Sequence, residues 1–320
     1  MKVIAKAPVN IALVKYFGKK DPIKVIPYNP SVSFALEDFY TITYLEKKGS
    51  PGVSFTINDQ VQPEEEHKKI IDFLRHFKGF NPYDGLHIKS FNNVPTAAGF
   101  ASSASGFAAL SICANAYYKT NYDLKTLVKI ARMGSGSSVR SLIGGAVLWD
   151  VDGMIYPLEA NLKAYKMMFV VLHDSQKPIS SRAAMKRVVE TSALYETFVK
   201  TSFEDAKLMI EALKQDQFNL IGKILESNAR LMHATMVASN PPFSYLTKET
   251  YKVLELVKAM QEEGIALYAT MDAGPNVKLL YQKELETVIL KRLHEEGFTH
   301  VLTSALSKEG ARLINDFPNL

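Results

Sequence analysis

The stretch Asn93-Val-Pro-Thr-Ala-Ala-Gly-Phe-Ala-Ser-Ser-Ala-Ser105 constrains the fold of this chain most strongly. It places Gly99 and three serine hydroxyls, Ser102, Ser103 and Ser105, before a segment with helical spacing of its apolar and small residues. Small residues let backbone N–H groups approach a ligand, and a helix start adds unpaired donors and the positive end of its dipole. The stretch therefore predicts an anion cradle suited to a polyphosphate, with a plain helix cap as the alternative. It is not the common P-loop, because the chain contains no GxxxxGK[ST].

Composition predicts a folded enzyme-sized protein. With 320 residues, 47% of them hydrophobic, the chain can bury a large core in two domains or one large one. The amino terminus lacks the apolar region of a signal peptide, and no apolar run approaches the ~20 residues that cross a bilayer. The single cysteine, Cys113, cannot form an internal disulfide and is expected in the core. We therefore expect a cytoplasmic protein without a membrane partner.

The charge pattern argues against nucleic-acid binding. The net charge is +5, but Lys and Arg are scattered along the chain and their short clusters lie near acidic residues. No nucleic-acid motif accompanies them. A mild positive excess is compatible with a small anionic substrate.

Hydrophobic periodicity predicts a mixed α/β (α+β) protein. Strands are expected at 2–14, 38–46, 86–90, 166–172 and 265–271, the last with 277–281 as its neighbour, and a hairpin at 146–158. Helices are expected at 64–77, after the serine-rich stretch, after an N-cap at Asp123, over 182–235 with an interruption near residue 202, and at about 245–263. The polar run His173–Arg182 is a candidate hinge or active-site loop, and the domain boundary is placed near residue 175.

Four loops rich in small residues stand out, and their sequences resemble those of one enzyme family. The loops are Asn10–Lys20, Asn93–Ser105, Gly134–Arg140 and Asp272–Asn276. The matching pieces include Asn10-Ile-Ala-Leu-Val-Lys-Tyr16, Gly134-Ser-Gly-Ser-Ser-Val-Arg140 and Met271-Asp-Ala-Gly-Pro-Asn276, in the family's order. The chain resembles the mevalonate diphosphate decarboxylases of the galactokinase, homoserine kinase, mevalonate kinase and phosphomevalonate kinase superfamily. Departures such as Phe17, Phe100 and Pro30 remove no charge that the chemistry needs.

This resemblance implies an architecture and a reaction. The expected fold is the two-lobed small-molecule kinase fold, with lobes at 1–175 and 176–320, the phosphate loop on the first lobe and the active site in the cleft. The implied reaction is ATP-dependent decarboxylation of (R)-5-diphosphomevalonate to isopentenyl diphosphate in the mevalonate pathway of isoprenoid and lipid biosynthesis. ATP and Mg²⁺ are the implied cofactors, and a homodimer is the implied assembly.

The resemblance assigns three catalytic residues. Asp272 is expected to orient the substrate 3-hydroxyl or take its proton, although locally it also fits an Asx turn or a cap. Arg140 is expected to pair bidentately with the C1 carboxylate, which a lysine cannot do. Lys15 is expected to neutralise the transferring phosphoryl group or the surroundings of Asp272. By local sequence alone, Arg140 and Lys15 also fit ordinary surface cations.

Binding residues are assigned in the same way. The substrate diphosphate and carbon skeleton are expected to contact Tyr16, Lys19, Ser135, Gly136, Ser137, Arg182 and Met185. ATP is expected near Ser90, Asn92, Gly99, Ser102, Ser103 and Asn10. No dedicated metal site is expected, since Mg²⁺ arrives with ATP and keeps waters and phosphate oxygens as ligands, with Ser102 as a possible protein ligand. The seven histidines lack metal-ligand spacing.

Alternative functions remain at this point. A mevalonate 5-phosphate decarboxylase would use the same three catalytic residues and a smaller anion site, whereas Tyr16, Lys19 and Arg182 favour a diphosphate. A kinase for mevalonate or a sugar would have less use for Arg140 beside Asp272. A ligand sensor that kept the fold and lost turnover is disfavoured because Lys15, Arg140 and Asp272 are all present.

Overall fold

The computed structural model describes residues 2–94, 102–172 and 179–316. In chain order its strands are β1 (Lys2–Val14), β2 (Lys19–Asp21), β3 (Ile26–Pro27), β4 (Ser31–Lys47), β5 (Val53–Ile57), β6 (Gln60–Val61), β7 (Leu86–Asn92), β8 (Ala146–Trp149), β9 (Ile155–Leu158), β10 (Tyr165–Val170), β11 (Leu267–Met271), β12 (Val277–Gln282), β13 (Val301–Ala305) and β14 (Arg312–Leu313). The helices are α1 (Glu64–Leu74), α2 (Ser102–Tyr117), α3 (Leu124–Gly134), α4 (Ser138–Ile143), α5 (Ser181–Thr191), α6 (Tyr195–Lys214), α7 (Phe218–Val237), α8 (Lys248–Glu262) and α9 (Glu286–Glu295). None of the helices in these ranges is long and apolar enough to span a membrane.

A mixed sheet and a smaller antiparallel sheet, with helices packed on them, confirm the predicted α/β class. The larger sheet has the order β14-β1-β4-β7-β5-β6, with β8 and β9 attached beside β4. The smaller sheet, β11-β12-β10-β13, is antiparallel throughout, and β2 and β3 form a separate hairpin. The predicted boundary at residue 175 stays a prediction; β10 lies in the smaller sheet, and β14 returns to pair with β1.

Local signals placed most elements correctly. Asp123 caps α3 by accepting a hydrogen bond from the Thr126 N–H, and the β8–β9 hairpin forms around Asp152 and Gly153 as expected. The predicted interruption near residue 202 is wrong, because α6 runs through it without a break. Ser202 is buried there and accepts a hydrogen bond from Asn228, so the core uses its polarity inside a continuous helix.

Small residues allow α2 to pack closely against the larger sheet. Ala104, Ala108 and Ala109 are fully buried on this helix, which lies against β1 and β4. A short side chain is needed where a helix and a sheet approach each other closely at interior packing density. The alanine- and serine-rich sequence therefore fixes the helix that begins at the predicted phosphate loop.

The two halves of the chain share one core. Phe39 of β4 and Phe169 of β10 meet edge to face with their ring centroids 5.1 Å apart, and side chains of α6 and α7 fill the space between the sheets. Gly222 of α7 lies against the ring of Tyr268 in β11, so closely that an added Cβ would overlap that ring. The Tyr268 hydroxyl donates a hydrogen bond to Asn219, which holds the ring in place.

This contact predicts opposite effects for two helical glycines. We expect Gly222→Ala to lower the free energy of unfolding by about 1–3 kcal/mol, because the methyl group overpacks against a held ring. Gly106→Ala in α2 is the matched control: open space surrounds its Cβ position, so the better helix former should raise stability by about 0.5–1 kcal/mol. Urea titration of both variants measures the difference. Equal effects would contradict the close α7–β11 packing.

Candidate active site

A cavity of about 430 Å³ lies where the end of β1 meets α3, α4, α5 and the loop after β11. Every residue predicted as catalytic or substrate-binding lines it: Asp272, Lys15, Arg140, Tyr16, Lys19, Ser135, Gly136, Ser137, Arg182 and Met185. These positions are distributed from residue 15 to residue 272, and the fold brings them to one place.

Asp272 lies between two lysines. The Lys15 ammonium donates to Asp272 Oδ1 over 2.7 Å, and the Lys278 ammonium donates to Oδ2 over 2.9 Å. Both lysine side chains are only 2% exposed, whereas 27% of the Asp272 side chain remains exposed. One carboxylate oxygen is therefore bonded to each lysine, and the carboxylate still faces the cavity.

The lysines decide the ionisation of this group. Burial alone would raise the pKa of Asp272, but the two ammonium groups outweigh burial and hold that pKa well below its usual range. Burial lowers the pKa of Lys15 to about 8, while Asp272 acts in the opposite direction. Asp272 is thus an anion at neutral pH. Lys15 loses its proton at a pH not far above neutral.

The backbone of Lys15 is held on both sides by buried amides. The Asn228 Oδ1 of α7 accepts from the Lys15 N–H over 2.7 Å, and Asn29 Nδ2 donates to the Lys15 carbonyl over 2.7 Å. β1 has ended at Val14, so these side chains supply the partners that a further strand residue would have had in the sheet. The Lys15 side chain is thereby directed at Asp272.

Arg140 of α4 is oriented by a second buried network. Its Nε donates to Asn10 Oδ1 over 2.8 Å, and a terminal nitrogen donates to the Ser31 hydroxyl over 3.0 Å. Asn10 in turn donates to the Ser141 hydroxyl over 2.7 Å. Burial lowers the pKa of Arg140 to about 10, which leaves a cation at neutral pH. Asn10 is predicted to lie near ATP. Its hydrogen bond with Arg140 supports a role in orienting that side chain.

Tyr16 and Gly136 form a tight wall of the cavity. The Tyr16 ring lies 4.6 Å from that of Trp149, and its buried hydroxyl has no hydrogen-bond partner among the described residues. A Cβ at Gly136 would lie 3.0 Å from both the Tyr16 hydroxyl and the Trp149 ring, which accounts for glycine at this position. Burial raises the pKa of Tyr16, so the phenol stays a hydrogen-bond donor.

Cations and hydroxyls line other parts of the same cavity. Burial, and then the charge of Arg182, lower the pKa of Lys19. Ser135 and Ser137 lie with their hydroxyls 3.3 Å apart, and the Ser135 hydroxyl is 3.4 Å from that of Ser103 at the start of α2. Donors of the predicted diphosphate site and of the predicted ATP site therefore adjoin each other.

A second cavity of about 160 Å³ adjoins the first. It brings together four of the predicted ATP-binding residues, Ser90, Asn92, Ser102 and Ser103, against the apolar side chains of Phe55, Ile57, Ile70, Phe107 and Leu110. Ser103, Phe107 and Glu66 line both cavities. An elongated ligand with an apolar end and an anionic end fits this arrangement.

Some predictions fall outside the described residues. Gly99 belongs to residues 95–101, and the first part of the His173–Arg182 loop belongs to residues 173–178; both lie outside the described ranges. In the part of the chain that the structure describes, no group of three or more His, Cys, Asp and Glu side chains could hold a metal ion.

Sequence reasoning missed four charged residues. Lys278 contacts Asp272, and Glu66 and Lys69 of α1 and Arg132 of α3 line the larger cavity. Lys278 carried a detectable signal, because it interrupts the apolar strand Val277-Lys-Leu-Leu-Tyr281. Glu66 and Lys69 carried none, since they alternate with other charges on the polar side of an amphipathic helix.

Family models and similar proteins agree on the identity of the chain. Residues 7–154 match the diphosphomevalonate decarboxylase-like N-terminal domain, and residues 167–312 match the mevalonate 5-diphosphate decarboxylase C-terminal domain. The diphosphomevalonate decarboxylase of Candida albicans is 32% identical, over 92% of this chain and 88% of that protein.

Solved structures give the same result. The mevalonate diphosphate decarboxylase of Staphylococcus aureus is 37% identical, with a TM-score of 0.92 and 98% of each chain covered. A structure described as MDDEF in complex with MVAPP, AMPPCP and magnesium is 35% identical, with a TM-score of 0.91 and 99% of each chain covered. The chain therefore belongs to the diphosphomevalonate decarboxylase family.

Proposed function

We propose that this protein catalyses the ATP-dependent decarboxylation of (R)-5-diphosphomevalonate to isopentenyl diphosphate, releasing ADP, phosphate and carbon dioxide. One observation carries the proposal: Asp272, Lys15 and Arg140 converge in one cavity of a chain that belongs to this family. That cavity adjoins a second one at the start of α2. A nucleoside triphosphate bound in the second cavity would bring its γ-phosphoryl group close to the first cavity.

The reaction requires the protein to fill three catalytic roles. The tertiary 3-hydroxyl is a poor leaving group, and transfer of the γ-phosphoryl group of ATP makes it a good one. When phosphate departs with the C3–O bonding electrons, positive charge develops at C3, and the C1–C2 bonding electrons form the new double bond as carbon dioxide leaves. The protein must orient the hydroxyl, neutralise phosphoryl charge and hold the carboxylate.

The side chains of Asp272, Lys15 and Arg140 are suited to these three roles. The carboxylate of Asp272 retains acceptor capacity beyond its two lysine bonds, so it can accept a hydrogen bond from the 3-hydroxyl. Lys15 brings positive charge to the same point, where the phosphoryl group arrives. Arg140 presents a planar guanidinium that fits the C1 carboxylate, and its bonds to Asn10 and Ser31 fix the plane.

A diphosphate fits the rest of the cavity better than a monophosphate. The unpartnered Tyr16 hydroxyl, the ammonium of Lys19, the guanidinium of Arg182 and the Ser135 and Ser137 hydroxyls offer more donors than one phosphate needs. These residues favour mevalonate 5-diphosphate over mevalonate 5-phosphate. The intact set of Asp272, Lys15 and Arg140 favours an enzyme over a ligand sensor.

The serine hydroxyls at the smaller cavity suit the triphosphate of ATP and its Mg²⁺. The hydroxyl of Ser105 is bonded to Thr41 over 2.7 Å in the core, whereas Ser103 is exposed and Ser102 half-buried at the cavity. Ser102 and Ser103 are thus the described hydroxyls that suit the triphosphate and its metal. Magnesium accompanies ATP and neutralises phosphate charge. A similar solved structure holds AMPPCP and magnesium together with MVAPP.

Three finer proposals rest on the family resemblance: a homodimer, a cytoplasmic location and a place in lipid biosynthesis. Light scattering coupled to size-exclusion chromatography tests the first, since a monomer mass of 35.7 kDa and its double are easily separated. Cell fractionation tests the second.

The direct test follows ADP and carbon dioxide from the purified protein with Mg²⁺-ATP. We expect equal amounts of both with mevalonate 5-diphosphate and neither with the 5-phosphate. ADP without carbon dioxide would identify a kinase, and turnover of the 5-phosphate would identify the other decarboxylase. No turnover of either substrate would favour the sensor.

We expect Asp272→Asn to abolish turnover and leave ATP binding nearly unchanged. The amide oxygen of asparagine can still accept a hydrogen bond, but it carries no charge and cannot take the proton of the 3-hydroxyl, which should lower kcat by about 10²–10⁴-fold. The thermal midpoint should also fall, since two buried ammonium groups lose their counter-ion. Calorimetric titration with an ATP analogue and steady-state kinetics measure both effects, with the exposed Asp72→Asn as the control. Loss of ATP binding together with activity would instead make Asp272 structural.

The lowered pKa of Lys15 predicts an alkaline decline in activity. Lys15 loses its proton near pH 8 in the free enzyme, so kcat/KM should fall above about pH 8, where an ordinary lysine would stay charged. In Lys15→Arg the guanidinium stays protonated, and the decline should move to higher pH. A kcat/KM that stays level to pH 9.5 in the wild type would show that this charge is not needed.

A further inference from the structure

Lys278 is a buried charge in the middle of an apolar strand. It lies in β12 between Val277 and Leu279, both fully buried, and is itself 2% exposed. Its ammonium lies 2.9 Å from Asp272 Oδ2. A methionine or leucine would suit the packing of this strand without the desolvation cost of an ammonium group. Lys278 is therefore explained by its contact with Asp272 better than by packing.

Lys278 contacts Asp272 without lining the larger cavity. Lys15 and Asp272 line the larger cavity, but Lys278 is not among the described residues that do so. Its contact with Oδ2 and that of Lys15 with Oδ1 hold the carboxylate from two directions. Rotation of the carboxylate would break both charged hydrogen bonds, so the face that meets the cavity is fixed.

We propose that Lys278 is a positioning residue of the decarboxylation reaction, which fixes the orientation of the Asp272 carboxylate and adds a second positive charge to it. This inference rests on the proposed function. Lys278 does not contact the substrate; it works through Asp272, which receives the 3-hydroxyl. Lys15 thus faces the arriving phosphoryl group, whereas Lys278 interacts with the Asp272 carboxylate alone.

Removing the charge of Lys278 has a predictable effect on pH dependence. The charged or titratable groups around Asp272 are Lys15 at the end of β1, Lys278 in β12, Arg140 in α4 and His233 in α7. Burial lowers the pKa of His233 to about 4, so it is neutral near pH 7. Without the Lys278 ammonium, the pKa of Asp272 rises, and the carboxylate is protonated as the pH falls at values where the wild type is still ionised.

The test compares wild type and Lys278→Met by kcat and kcat/KM between pH 5 and 9. We expect kcat to fall about 10- to 100-fold at pH 7.5, because the carboxylate loses its fixed orientation. We also expect the acid decline of kcat/KM to begin at a higher pH than in the wild type, because only the Lys15 ammonium then holds the pKa of Asp272 down. The KM for ATP should stay unchanged. Lys278→Arg, which keeps the charge, should keep the wild-type acid profile.

Lys166→Met is the matched control. Lys166 lies in β10 of the same sheet, pairs with the carboxylate of Glu286, and is absent from the described lining of the cavity. Its loss should leave kcat and the acid profile unchanged. A merely structural role for Lys278 would lower kcat by the same factor at every pH, and that outcome would overturn the proposal, as would wild-type behaviour of Lys278→Met.

Folding is checked by circular dichroism and thermal melting of each variant. If Lys278→Met does not fold, Lys278→Gln keeps a donor to Asp272 without the charge and should show the same acid decline. If neither neutral variant folds, Lys278→Arg decides: a wild-type acid profile supports the inference, and a new acid decline overturns it. A wild type without turnover would contradict the proposed function, whereas an active wild type with unaffected variants would contradict only the role of Lys278.

Discussion

The carboxylate of Asp272, held between the ammonium groups of Lys15 and Lys278, is the interaction on which the site depends. Lys15 follows a strand of the larger sheet, while Asp272 and Lys278 belong to the smaller sheet and its loop. The cluster therefore forms only when the two sheets are packed in their correct relative position. Buried ions cost desolvation energy, and two cations on one anion leave net positive charge. That charge suits a site for anionic substrates better than it suits a stable core.

The surrounding fold serves to hold this cluster in place. Asn228 of α7 accepts from the Lys15 backbone and donates to the Asp205 carboxylate of α6 over 2.8 Å, so hydrogen bonds link both helices to the backbone just after β1. The pairing of β1 with β4 shifts register between Pro8 and Asn10, and Asn10 lies beside Arg140 just after that shift. Register shifts re-aim side chains, and here the shift falls next to the cavity.

The arrangement also explains how one cavity can favour decarboxylation over simple phosphoryl transfer. A kinase needs an acceptor carboxylate and a cation, the roles that we propose for Asp272 and Lys15. Decarboxylation also needs the substrate carboxylate held until its carbon departs, and the buried, hydrogen-bonded Arg140 is suited to that task. The donors of Ser103 and Ser135 lie between the two cavities, where a phosphoryl group would cross.

Local sequence determined the elements whose signals lie within a few residues: the helix capped by Asp123, the β8–β9 hairpin, the antiparallel pair β11–β12 and the residue types of the loops. Motif resemblance then determined the family and the candidate residues. Only the tertiary structure decided that α6 is continuous through Ser202, that β14 returns to β1, and that Lys278 joins Asp272. Lys15 and Asp272 are 257 residues apart in the chain, and Lys278 is explained only by a carboxylate at the end of the neighbouring strand. Such contacts have no local signal, because packing of distant segments creates the environment that makes each residue suitable.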